Sequence, residues 1–171
     1  MGKSIREMEK SQYYIGTPNG VVVCVERVEN DRLCAELYHS YSREAVEIIN
    51  YDQLIFEMEQ VLDFINFPRA ATNKRFFAGK EKSSPNQDTE RARVMSDEEL
   101  LRKHGDLGTF IIRVQHRQNS SWQGRITWAD KNKTVYFRSI WEMVKLIASA
   151  IDTVSKQEDS ETKAEWLSDE E

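Results

Sequence analysis

Apolar and polar residues alternate along three short segments near the start of the chain, and a longer segment with a helical period follows them. The alternating segments are residues 21–28, 32–41 and 44–49. Alternation predicts β-strands, because successive side chains of a strand point to opposite faces of the sheet. From Leu54 to Ile65 the apolar residues recur every three or four positions, which predicts a helix with Asn50 as its N-cap. Residues 11–68 are therefore predicted to form a β-β-β-α unit.

The same apolar pattern returns 89 residues later without a gap. The matching positions include Val21 with Phe110, Val23 with Ile112, Leu37 with Ile126, Val46 with Val135 and Asn50 with Ser139. A pattern that repeats at a fixed spacing is typical of a repeated structural unit. We therefore predict a second β-β-β-α unit over residues 108–154. The predicted fold class is α+β, in which two pseudo-repeated units share an antiparallel sheet and their helices pack on one face.

Two segments outside these units contain few apolar residues. Residues 69–107 are predicted to be a linker, in which the capping pattern that begins at Ser96 predicts a short helix over residues 96–104. Residues 155–171 are predicted to be a disordered acidic tail. Residues 157–171 hold seven acidic side chains and one lysine, a net charge of −6, so the rest of the chain is close to neutral although the overall net charge is −5.

The composition limits the class of protein. Of the 171 residues, 39% are hydrophobic and 31% are charged, which suits a globular protein with its own core. No apolar run reaches the length of a membrane span, and the first residues lack the apolar segment of a secretory signal. Cys24 and Cys34 lie diagonally on neighbouring predicted strands, so we expect two reduced thiols. We predict a cytoplasmic protein without a membrane partner, a metal or a cofactor.

Alternation in the second unit gives its sheet an apolar face, which we expect to pack against the helix. The residues of this face are Phe110, Ile112, Val114, Trp122, Ile126, Trp128, Val135 and Phe137. Gly124 lies on the same face between the two tryptophans. Its missing side chain is predicted to let an indole ring or the helix backbone approach closely.

The opposite face of the second unit is rich in arginine. Its polar residues are Arg113, Gln115, Arg117, Gln123, Arg125, Thr127, Tyr136 and Arg138. The simplest strand register pairs Arg113 with Arg125, and Arg125 with Arg138. Like charges directly opposite one another destabilise a sheet by ~0.2–1 kcal/mol per pair, so such a row favours a bound anion or carboxylates. The other interpretation is an ordinary solvent-exposed face with dispersed charge.

The arginine row leads to our functional prediction. We expect a non-enzymatic binding or adaptor protein that recognises an acidic protein segment or another anion. The residues predicted to bind are Arg113, Gln115, Arg117, Gln123, Arg125, Tyr136 and Arg138. The acidic tail would either mask this face or engage a second molecule.

Two other hypotheses stay open at this stage. The first is a nucleotide or single-stranded nucleic-acid binding protein that uses the same face, with Lys74 and Arg75 as a secondary basic patch. The second is an enzyme of an unrecognised type. Against an enzyme, His39, His104 and His116 have no nucleophile or ligand spacing around them, and the chain has no glycine-rich phosphate loop.

Two resemblances concern the segment from Arg113 to Ser139. The block from Arg117 to Trp128 (RQNSSWQGRITW), followed by Phe137-Arg138-Ser139, resembles a family of small proteins of Gram-positive anaerobes with no established activity. This resemblance implies a bacterial accessory protein. RxxxR from Arg113 to Arg117 and NxSxxG from Asn119 to Gly124 are similar to the two motifs of the PilZ domain, which binds cyclic di-guanylate. In that family strands separate the motifs, whereas only Gln118 separates them here, so this match does not enter the functional prediction.

Overall fold

The computed structural model describes residues 18–72, 75–78 and 91–168. The strands are β1 (Gly20–Glu29), β2 (Arg32–His39), β3 (Val46–Ile48), β4 (Gly108–His116), β5 (Gln123–Trp128) and β6 (Lys133–Phe137). The helices are α1 (Tyr51–Ile65), α2 (Asp97–Leu101) and α3 (Ile140–Ser168). All six strands form one antiparallel sheet in the order β3-β2-β1-β4-β5-β6. The predicted α+β class with an antiparallel sheet is therefore confirmed. None of the described helices combines the length and hydrophobicity that a membrane span requires.

Side-chain caps fix where the helices begin and end. The Asn50 side chain accepts a hydrogen bond from the Gln53 backbone N–H at 2.7 Å at the start of α1, and Asn66 ends the helix in the left-handed conformation. Ser96 and Glu99 form the predicted capping box. Because Ser96 is the N-cap and the helix ends at Leu101, α2 is shorter than the predicted range of 96–104.

The two long helices cover one face of the sheet, which we call the inner face. The apolar side chains of β1, β2, β4 and β5 pack there against Leu54, Met58 and Leu62 of α1 and against Met143 and Ile147 of α3. This burial is the main stabilising contribution to the fold.

The opposite face, which we call the outer face, carries a small second cluster. Met95 and Leu100, from the segment of α2, pack there on Val22 and Cys24 of β1. The long helices, predicted to pack on one face, both lie on the inner face, whereas α2, from the predicted linker, lies on the outer face.

β-Bulges interrupt the sheet at two places. One lies between Val25 and Arg27 of β1, and the other lies between Val114 and His116 of β4. A bulge inserts one extra residue into a strand, so the residues after it change faces. The alternation predicted from the sequence therefore fails beyond these two points.

Gly124 is required by the backbone beside the second bulge. A Cβ atom at this position would overlap the Arg113 carbonyl oxygen and would contact the Phe137 ring at 3.0 Å. The neighbour that approaches Gly124 is thus the β4 backbone, not the predicted indole or helix.

The C-terminal segment differs from its prediction. α3 continues to Ser168, so a disordered tail from residue 155 is wrong over that range. The side chains from Ser155 to Glu161 are exposed, and Lys156 pairs with Asp152 at 2.7 Å across one turn. A solvent-exposed helix is stabilised by helix-forming residues and by such i,i+4 ion pairs and does not need apolar side chains. The lack of apolar residues after Ser155 was therefore not a sign of disorder.

Candidate functional site

Three of the predicted binding residues lie side by side on the outer face. Arg113 of β4 is directly opposite Arg125 of β5, as the sequence predicts, and Arg125 is directly opposite Tyr136 of β6. We call these three residues the arginine patch. Both arginines are half-buried and Tyr136 is 66% exposed. Within the described part of the chain, the Arg125 guanidinium makes no hydrogen bond or ion pair. Arg125 therefore presents hydrogen-bond donors that no described residue uses.

Arg138 does not join the patch. The predicted pairing of Arg125 with Arg138 requires a two-residue turn between β5 and β6, but four residues, 129–132, connect the strands. The longer connection moves the register by two residues, so that Tyr136 takes the place predicted for Arg138. The Arg138 Nε instead donates to the Glu142 carboxylate at 3.1 Å. These hydrogen bonds from Arg138 lower the pKa of Glu142.

Arg117 lies on the inner side of the sheet, because the bulge at Gln115 reverses the alternation. Only 5% of its surface is exposed. The Arg117 Nε donates to the Pro68 carbonyl oxygen at 2.7 Å, and Nη1 donates to the Asp63 carboxylate at 2.6 Å. This arginine therefore joins the C-terminal end of α1 to the end of β4 and does not contribute to the outer face.

The remaining predicted residues have separate positions. Gln123 accepts from the Gln118 N–H and donates to the Gln118 carbonyl, both at 3.2 Å, so its side chain closes the β4–β5 turn. Gln115 is exposed at the bulge. Arg75 is exposed and borders a cleft together with Arg117, and Lys74 lies outside the described residues.

The other end of the outer face is acidic. Glu36 of β2 is directly opposite Glu47 of β3. The Tyr38 hydroxyl donates to Glu36 at 2.6 Å, and burial together with this carboxylate raises the pKa of Tyr38. The outer face thus has an acidic end on β2–β3 and a basic end on β4–β6, with the α2 cluster between them.

A cleft that sequence reasoning missed lies next to Arg117. Its volume is about 930 Å³. Its walls are Glu59, Ala70, Thr72, Arg75, Phe76, Arg117, Ser120, Ser121, Trp122 and Ile140. These residues come from α1, from the segment after α1, from the β4–β5 turn and from the start of α3. No local spacing in the sequence indicates that these segments meet.

Among the described residues, no three His, Cys, Asp or Glu side chains converge as metal ligands. Cys24 and Cys34 are both free thiols. Burial raises the pKa of Cys24 to about 12, which opposes thiolate formation. His104 lies 3.3 Å from the carboxylate of Asp130, and the two form an exposed surface pair.

Comparison with known proteins adds no functional assignment: neither a protein-family model, nor a curated protein, nor a solved structure matches the chain.

Proposed function

We propose that the protein is a non-enzymatic binding or adaptor protein whose arginine patch recognises an acidic protein segment. The observation that carries this proposal is the direct cross-strand pairing of Arg113 with Arg125 on the outer face. Two guanidinium groups at this spacing repel each other by ~0.2–1 kcal/mol. Carboxylates bound between them would remove this repulsion and accept charge-assisted hydrogen bonds.

The neighbours of the patch favour a protein segment as the ligand. Beside Arg125 lie Tyr136 on β6 and, along the same strands, the Thr127 and Thr134 hydroxyls, which are 2.8 Å apart. An exposed tyrosine and arginines are the residues most often enriched at the centres of protein interfaces. The carboxylates of Glu36 and Glu47 do not neutralise the patch at close range. They lie two and three strands away from β4, and each strand adds about 4.8 Å.

We propose that the bound segment belongs to another molecule rather than to the chain's own C-terminus. α3 packs on the inner face, opposite the patch, and its side chains from Ser155 to Glu161 are exposed to solvent. The position of α3 favours an acidic segment of another molecule over the alternative in which the acidic end masks the arginines, and residues 169–171 of that end lie outside the described residues.

We also propose that the sheet consists of two duplicated β-β-β-α units, of which only the second carries the binding surface. The positions of the two bulges support this. Val25 and Arg27 flank the first bulge, and Val114 and His116, each 89 residues further along the chain, flank the second. The strand registers agree as well: Cys24↔Glu36 and Glu36↔Glu47 correspond at the same spacing to Arg113↔Arg125 and Arg125↔Tyr136. Cys24, Glu36 and Glu47 thus take the positions of the patch residues in the first unit, which lacks a basic surface.

The experiment measures binding of a fluorescein-labelled poly-glutamate peptide to the full chain by fluorescence anisotropy. The test variant is Arg113→Ala/Arg125→Ala, and the matched control is Arg32→Ala/Arg102→Ala, which removes the same charge from exposed positions elsewhere. We expect the test variant to weaken binding roughly tenfold, since two exposed ion pairs contribute ~0.4–2 kcal/mol together. The control should bind as the original protein does.

Two outcomes would overturn the proposal. One is equal weakening in the test and control variants, which would indicate non-specific charge attraction. The other is tighter binding of a labelled oligo-thymidylate than of the peptide, with a steep loss of affinity as salt rises. That result would support the nucleic-acid alternative.

A further inference from the structure

The guanidinium of Arg117 has one nitrogen without a hydrogen-bond partner. Nε and Nη1 are bound to Pro68 and Asp63, and Nη2 makes no hydrogen bond to any residue that the structure describes. The Arg117 side chain is 95% buried, but Nη2 is not fully enclosed by protein atoms. This edge of the guanidinium therefore opens on the cleft that Arg117 lines. Solvent in the cleft can accept from this group, and a charged ligand oxygen in its place would make a stronger hydrogen bond.

The bonds to Pro68 and Asp63 prepare Arg117 for such a ligand. They fix two of the three guanidinium nitrogens, so little side-chain entropy remains to be lost when the third binds. Ser121 provides a second donor. Its Oγ accepts from the Ile140 backbone N–H at 3.1 Å. The hydroxyl proton is not donated to any described residue, so it is available to a ligand.

The walls of the cleft are partly apolar. The Trp122 side chain is 2% exposed and borders the cleft together with Ile140, while Phe76 is 55% exposed at the other side. A volume of about 930 Å³ lies within the range of small-molecule sites. The ligand therefore has an apolar body as well as an acceptor group.

The charges around the cleft select a carboxylate over a doubly charged phosphate. Arg117 is already paired with Asp63, which leaves Arg75 as the other cation and Glu59 as an anion on the α1 wall. Both carboxylates would repel a dianion about twice as strongly as a singly charged carboxylate, which still meets two donors and, among the described residues, the unpaired cation of Arg75. We propose that this cleft binds a small organic carboxylate, with its oxygens on Arg117 and Ser121 and its apolar body against Trp122, Ile140 and Phe76.

The test uses phenylacetate as the probe and its uncharged amide, phenylacetamide, as the control. Binding to the full chain is followed by ¹H–¹⁵N NMR at the Arg117 Nε–Hε group. We expect a saturable shift with phenylacetate and at least a tenfold weaker response to the amide, because a hydrogen bond between charged groups is much stronger than one to a neutral acceptor. Absence of a saturable shift up to about 20 mM, or equal binding of the amide, would overturn the proposal.

Variants that keep the fold intact sharpen the test. Phe76→Ala should weaken binding about fivefold through lost apolar contact, and Glu59→Gln should strengthen it about threefold by removing a repelling charge. If Glu59→Gln leaves phenylacetate binding unchanged or weakens it, the carboxylate does not bind in this cleft. Arg113→Ala/Arg125→Ala should weaken binding of the acidic peptide and leave phenylacetate binding unchanged. The failure of one proposal can therefore be distinguished from the failure of the other.

Discussion

The ion pair between Asp63 of α1 and Arg117 at the end of β4 should contribute more to stability than any other pair that the structure shows. Arg117 is 5% exposed, and the Asp63 side chain is 39% exposed. Breaking a fully buried pair costs about 3–5 kcal/mol, because it leaves one charge unpaired in the protein. Solvent reaches Asp63, and an asparagine oxygen still accepts a hydrogen bond. We therefore expect Asp63→Asn to lower the free energy of unfolding by about 1.5–3 kcal/mol.

Urea unfolding followed by circular dichroism at neutral pH measures this loss. The slope of the transition should stay constant while its midpoint falls, which indicates a change in stability rather than in the unfolded state. The control is Glu57→Gln on the same helix. This change removes an acid that makes no ion pair with any described residue, and it should alter the stability by less than about 0.5 kcal/mol. If Asp63→Asn and Glu57→Gln have equal effects, the ion pair does not hold the two elements together.

Three further predictions follow from the backbone and the titratable groups. Gly124→Ala should cost about 1–3 kcal/mol or more in thermal unfolding, because its methyl group displaces the Arg113 carbonyl; an unchanged melting temperature would contradict this contact. Burial lowers the pKa of His39, so the unfolded state binds the proton more readily, and stability should fall as the pH drops below about 6.5; His39→Gln should flatten that dependence in urea titrations. Iodoacetamide at pH 8 should modify Cys34 before Cys24, whose pKa is about 12, and mass spectrometry of the native protein showing the reverse order would refute the burial of Cys24.

Local patterns in the sequence predicted the elements and the inner face well. Alternation at Val21, Val23 and Val25 indicated a strand with one buried face, and these three residues do lie in the core. Helical spacing after Asn50 indicated α1 and its N-cap. Such features depend only on neighbouring residues, whose spacing reflects the period of the element they form.

The outer face was predictable only as far as the strands stay regular. Arg113 and Arg125 were paired correctly because both lie on the regular side of the bulge at Gln115, where the apolar residues of β4 and β5 must share one face of the sheet. Arg117 follows a bulge and Arg138 follows a four-residue connection, and both features change the register without a clear sequence signal. The cleft beside Arg117 could not be predicted, because its walls come from segments far apart in the chain.

The most direct measurement of the central claim is a reversal of charge at the arginine patch. Arg113→Glu/Arg125→Glu is compared with the original chain for binding of labelled poly-glutamate and labelled poly-lysine peptides, after circular dichroism has shown that both proteins are folded. If the patch recognises acidic segments, the variant loses the poly-glutamate peptide and gains the poly-lysine peptide. Unchanged preference for poly-glutamate in the folded variant would show that the binding surface lies elsewhere.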